Sequence, residues 1–227
     1  MNKTLIVVGA SRGIGKALVD LLAQNPEHQI YALSRDIKQL NTNFKSFKNV
    51  ICAEFDLENS VVQQLQTIFN TEIQIDILIN NAGWLINKNF DKISHAEFMK
   101  SYQINVIGVM ETCQFFVSRM KKSHIVNISS MGGFQGSMKF PGLAAYSSSK
   151  AALCNFTELF AEEFKSTDIR MNCLCIGAVQ TEMLEEAFPG YKAQVSPAEM
   201  ASYIADFALN KSTLMNGKII PVSLSTP

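Results

Sequence analysis

The sequence predicts an α/β protein: a doubly wound parallel sheet of about seven strands flanked by helices. Three observations carry that expectation. Short runs that are apolar throughout, such as "TLIVVGA" at 4–10, match strands buried on both faces. These runs alternate with segments whose apolar residues recur at helical spacing. The 227 residues show no composition break, internal repeat or low-complexity stretch, so one domain spanning 1–227 is expected.

The elements follow in order. After the first strand, "IGKALVDLLAQN" at 14–25 reads as a helix. "HQIYALS" at 28–34 is a second strand and "VICAEFDL" at 50–57 a third. "SVVQQLQTIFN" has helical spacing, and "IDILINNAG" at 75–83 is a fourth strand. One long helical pattern runs over 94–122, ahead of a fifth strand, "SHIVNISS", at 123–130. "YSSSKAALCNFTELFAEEFK" is a helix at 146–165, and "IRMNCLCIG" at 169–177 a sixth strand. A helix at 196–210 and "GKIIPVS" at 217–223 complete the alternation. In such sheets ligands bind beyond the carboxyl ends of the strands, so functional residues are expected in the loops and helix starts just after them.

Bulk properties exclude several classes. With 20 basic and 20 acidic residues the formal net charge is zero, which does not suggest a nucleic-acid surface. No apolar run approaches a membrane span, and the first apolar run is too short for a secretory signal; a cytoplasmic protein is expected. The five cysteines, at 52, 113, 154, 173 and 175, match no zinc framework. Buried reduced thiols and no metal are therefore expected, with Cys173 and Cys175 on one face of a strand. His28, His95 and His124 are scattered, which suggests surface or boundary positions.

Two local patterns carry chemistry. "GASRGIG" at 9–15 follows a strand and opens a helix. Its glycines, Gly9, Gly13 and Gly15, permit a tight turn and close backbone approach to a phosphate, which the helix N-terminus favours. Further along, Tyr146 and Lys150 lie four apart in a predicted helix and so share a face. An ammonium beside a phenol stabilises the phenolate, and a phenol poised in this way can exchange a proton with a substrate.

With these motifs the sequence resembles the short-chain dehydrogenase/reductase family over essentially its whole length. The glycine motif, "NNAG" at 80–83, the Tyr-x-x-x-Lys pair, a serine in "NISSMGG" and the helix asparagine Asn105 all match. Alignment on the glycines favours Ser130 over Ser129. The resemblance implies a single-domain Rossmann fold and hydride transfer between a nicotinamide ring and a carbonyl or alcohol carbon. It gives Tyr146 the role of general acid/base, and has Lys150 lower its pKa and bind the nicotinamide ribose. Ser130 holds the substrate oxygen, and Asn105 helps position a water linked to Lys150. Ser11, Arg12 and Ile14 fall within the cofactor loop, and Ala82 and Gly83 beside Asn81 along the adenosine ribose. Asp56 and Leu57 lie at the adenine, and Val179 and Thr181 at the carboxamide. Ile176 stands where the family usually has proline, which leaves that loop less rigid.

The second strand ends in Ser34 and Arg35 rather than in an acidic residue, and Arg12 lies in the glycine loop. Two guanidinium groups suit a 2′-phosphate, so NADP(H) is expected over NAD(H); Asp36 is read as the cap of the next helix. Trp84, Phe134, Phe140 and Met183 are expected to line an apolar substrate pocket. The leading function is NADP(H)-dependent reduction of a carbonyl on a small, mostly apolar substrate. A 3-oxoacyl-thioester reductase, which would use a basic docking patch such as Lys121 and Lys122, and a non-catalytic NADP(H) sensor are the alternatives. The resemblance also implies a homodimer or homotetramer.

Overall fold

The computed structural model describes residues 2–224; the first residue and last three of the expected 1–227 domain lie outside it. Seven parallel strands form one sheet in the order β3-β2-β1-β4-β5-β6-β7. They are β1 (Lys3–Val8), β2 (His28–Ser34), β3 (Val50–Glu54), β4 (Ile75–Asn80), β5 (Met120–Ser130), β6 (Asp168–Ile176) and β7 (Ile219–Val222). This is the doubly wound α/β architecture that the alternation predicts.

Residues of β1 show why the sheet is buried on both sides. Leu5 and Val7 face a cluster built from α1 (Gly13–Leu22), α2 (Ile37–Phe44) and α8 (Pro197–Asn210). Ile6 and Val8 face the opposite cluster, from α3 (Val61–Ile68), α5 (Gly108–Val117) and α6 (Ala144–Glu163). Side chains alternate along a strand, so a run with no polar member fits only a sheet covered twice. The strand order reverses between β1 and β4, which opens a crevice at their carboxyl ends.

Several elements differ from the sequence reading. The pattern over 94–122 divides into α4 (His95–Tyr102), a π-helical turn (Gln103–Ile107) and α5. It ends at Val117, and Met120–Lys122 already belong to β5. The helix expected after Asp36 is α2, whose cap Asp36 accepts a hydrogen bond from the Gln39 N–H at 2.9 Å. One helix, α7 (Glu182–Ala187), carries too little apolar periodicity to announce itself; the Thr181 hydroxyl accepts from Leu184 N–H at its start.

His28 and His124 are buried rather than superficial. His124 sits mid-sheet on β5, with Nδ1 2.9 Å from the Ala208 carbonyl of α8 and Nε2 3.0 Å from Asn172 Nδ2. Nδ1 therefore carries the proton and Nε2 accepts, so the ring is neutral. Burial pushes its pKa down to about 4. A histidine depressed in the folded state contributes stability above its ordinary value of 6.5, and loses it as pH falls through the folded value. Denaturant unfolding should lose on the order of 3 kcal/mol from this group between those two pH values. His124→Gln should flatten that slope; an unchanged slope would show that His124 does not cause it.

Candidate active site

The strand ends converge on one cleft. It is lined by the turn after β1, the ends of β2 and β4, the loop after β3, and the first residues of α7. The β1–α1 turn is shaped by its glycines. Gly9 has φ +85°, and a Cβ there would lie 2.6 Å from Ala82 Cα. At Gly15 a Cβ would meet the Gly9 carbonyl oxygen at 1.9 Å. The helix start therefore presses directly on the turn. Arg12 caps α1 without a side-chain bond to its first-turn N–H groups, which leaves donors and the positive dipole end for an anion. Three side chains brace the turn: Ser34 Oγ donates to Ser11 Oγ at 2.8 Å, Asn43 Nδ2 to Ser11 O at 2.8 Å, and Asn81 Nδ2 to Gly9 O at 2.9 Å. Asn43 was missed by sequence reasoning, because nothing local ties α2 to this turn.

The cleft wall includes Gly9, Ser11, Arg12, Gly13, Ile14, Ser34 and Arg35, then Asp56, Leu57, Asn81, Ala82 and Gly83, and at its far end Tyr146, Lys150 and Thr181. Gly15 lies beneath it. Val179 does not reach the wall: it is buried and bridges to Val195. Asp56 is held by Gln64, which accepts from its N–H and donates to its carbonyl. Arg35 is exposed and has no ion-pair partner among the described residues, whereas Arg12 pairs with Glu186 of α7. A long groove with an anion-ready helix start and a guanidinium at one end fits an extended phosphate-linked dinucleotide.

At the other end, Tyr146 and Lys150 share a face of α6, and Lys150 Nζ lies 5.9 Å from the tyrosine ring centroid. Lys150 is buried and donates to Ile128 O at 2.8 Å. Ser130 Oγ accepts from Gly132 N–H at 3.1 Å and stands close enough to the Tyr146 phenol to ease its deprotonation. Ser129 Oγ instead turns inward and donates to Lys150 O at 2.8 Å. Burial pushes the phenol up to about 12 and the ammonium down to about 8. The expected lowering of the tyrosine by the lysine is thus outweighed in the protein alone: desolvation penalises the phenolate more than Ser130 relieves it. Tyr146 is protonated at neutral pH and ready to donate.

Asn105 lies in the π-helical turn, a conformation frequent at functional sites. Its amide clamps the Trp84 backbone, accepting from the N–H at 2.8 Å and donating to the carbonyl at 2.9 Å. Gly83 separates Asn105 from Lys150: a Cβ there would sit 3.4 Å from Asn105 Oδ1 and 3.3 Å from Lys150 Nζ. Of the expected substrate wall, Trp84 and Met183 line the cleft. Phe134 packs against Cys154, Cys173 and Cys175, and Phe140 stands 56% exposed. The reason is chain direction: the segment after β5 turns back onto α6 before reaching solvent.

A parallel sheet with its crevice at the strand reversal, and a phenol and ammonium at the end of that crevice, define a nucleotide-cofactor oxidoreductase. The chain belongs to the short-chain dehydrogenase family, whose family model matches residues 3–192. It is 28% identical to 3-oxoacyl-[acyl-carrier-protein] reductase FabG of Chlamydia muridarum, over 98% of this chain and 96% of that protein. Carbonyl reductase family member 4 of Danio rerio is 33% identical, over 81% and 78%. Among solved structures, 4-hydroxyisoleucine dehydrogenase complexed with NADH superposes with a TM-score of 0.84 at 26% identity, over 98% of this chain and 97% of that one. The chain is an oxidoreductase of CH–OH/C=O groups that uses a nicotinamide cofactor. No helix among the described residues is long and apolar enough to cross a membrane.

Proposed function

We propose that this chain is an NADP(H)-dependent reductase of a carbonyl on a small, mostly apolar substrate. The observation that carries the reading is the protonated Tyr146, with Lys150 Nζ 5.9 Å from its ring, in the wall of the cleft. A nicotinamide held at the end of the cleft lined by Tyr146, Lys150 and Thr181 would supply the hydride. Tyr146 then gives its proton to the carbonyl oxygen as negative charge grows there. The Ser130 hydroxyl gives that oxygen a second hydrogen bond; one such donor is worth roughly 3 kcal/mol in a transition state. Lys150 holds positive charge beside the phenol and favours its deprotonated form after transfer. Asn105 fixes the Trp84 backbone and so the wall between cofactor and substrate. Trp84 and Met183 supply apolar contact to the substrate. Residues 2–224 work as one unit, and exposed Ile107 of the π-helical turn, Met110 on α5 and Leu159 on α6 support association into a homodimer or homotetramer.

The preference for NADP(H) rests on Arg35, which is free to meet a 2′-phosphate, with Arg12 across the groove in exchange for its Glu186 partner. Arg35→Asp should weaken NADPH binding on the order of tenfold or more, as a phosphate contact is lost and a like charge placed there, while NADH binding holds or improves. Titration of each cofactor by fluorescence checks this; unchanged selectivity would refute the assignment.

The second reading, reduction of a 3-oxoacyl thioester, is favoured by similarity along the full length of FabG. The proposed docking pair does not support it. Lys121 and Lys122 lie at the start of β5, not on a helix, while Ser130 at the site ends the same strand. A strand rises about 3.3 Å per residue, so the pair is roughly 26 Å from the site, at the amino-terminal end of the strands. Faster turnover of 3-oxoacyl thioesters than of simple ketones would favour this second reading.

A further inference from the structure

Cys154 of α6 meets Cys173 and Cys175 of β6 behind the helix. Cys173 and Cys175 project from one face of β6. Cys154 Sγ lies 3.9 Å from Cys173 Sγ and 3.5 Å from Cys175 Sγ, and all three sulfurs fall within 4.8 Å of one another. All three residues are buried. Ser129 Oγ is 3.4 Å from Cys154 Sγ, and Met131 packs against the cluster. The reaction proposed above uses none of these thiols.

The spacing suits a metal. Sulfurs about 2.3 Å from a tetrahedral zinc stand about 3.8 Å from each other, inside the range seen here. The charge also balances. Three thiolates around a divalent cation leave one negative charge, and Lys150, one helical turn before Cys154, is the one buried lysine among the described residues. Thiolates select soft and borderline cations over calcium or magnesium. We propose that Cys154, Cys173 and Cys175 form a three-thiolate site for Zn2+ or a softer divalent cation such as Cd2+, with the Ser129 hydroxyl as fourth donor. The sulfurs lie beneath α6, so the cation enters as α6 docks on β6 during folding; metal affinity then adds to fold stability. The sequence could not show this, because the ligands come together only through tertiary packing.

The test uses the full-length chain, unfolded in guanidinium with a phosphine reductant and refolded with or without equimolar CdCl2, then desalted. The expected result is about one retained cadmium per chain, a thiolate-to-cadmium charge-transfer band and a raised thermal midpoint. Cys154→Ser and Cys175→Ala should each lose the band, while Cys52→Ala keeps it. X-ray absorption of the loaded wild type stands independently of how the variants fold: three sulfur neighbours are expected. No retained cadmium, an oxygen-dominated shell, or a band that survives in the Cys154 and Cys175 variants would overturn the proposal.

Discussion

Tyr146→Phe is expected to bind cofactor as the wild type does, yet to lose carbonyl reduction by roughly 100- to 10,000-fold, the usual range for removing a general acid. The substitution deletes one oxygen and leaves the ring in the cleft wall beside Lys150. The loss should fall on kcat rather than on KM, since the proton moves only as charge develops on the substrate oxygen. Ser130→Ala removes the neighbouring donor and should give a smaller loss. Because burial raises the phenol pKa well above its ordinary value in the free protein, reduction should not decline from pH 7 to 9 through loss of the Tyr146 proton. Turnover that survives in Tyr146→Phe would mean that another group supplies the proton.

Gly15→Ala should weaken cofactor binding roughly 10- to 100-fold. The added methyl would meet Gly9 O at 1.9 Å and Asn81 Nδ2 at 2.6 Å. The first contact is backbone and cannot turn aside, so α1 and the glycine turn must separate. Overpacking of this kind costs about 1–3 kcal/mol. Because the strained atoms form the cleft floor, most of that cost should appear in the dissociation constant, as roughly a 10- to 100-fold rise. Gly136→Ala is the control. Unlike Gly15, Gly136 has positive φ, +82°, and nothing lies within 4 Å of its Cβ position. It should lower stability modestly and leave cofactor affinity unchanged. Equal cofactor losses in the two variants would argue against close packing at Gly15 as the cause.

What could be read from the sequence was what local pattern dictates. The apolar stretches of β1 and β4 point to both faces of the sheet because both faces are covered, so a run such as "LIVV" announces itself. The glycine turn was legible because its residue types answer a steric demand within seven positions. Other features depend on partners far along the chain. The π-helical turn at Asn105 keeps the helical periodicity around it and changes only the hydrogen-bond ladder, so apolar spacing gave no sign of it. The short helix α7 holds three glutamates and little apolar pattern; its existence depends on the Thr181 cap and on Glu186 reaching Arg12. The depressed tyrosine pKa expected from the Tyr–Lys spacing failed because spacing reports neighbours and not burial. Phe134 was assigned to the substrate wall by its place between Ser130 and Tyr146, and the three cysteines against which it packs come from α6 and β6.

The most direct test of the account follows NADPH absorbance in the presence of a panel of ketones, diketones, quinones, aldehydes and 3-oxoacyl thioesters, with NADH run in parallel. The account predicts carbonyl-dependent oxidation of NADPH by at least one class, slower with NADH. Tight NADPH binding with no oxidation by any carbonyl class would contradict the reductase and favour a cofactor-binding sensor built on the same fold.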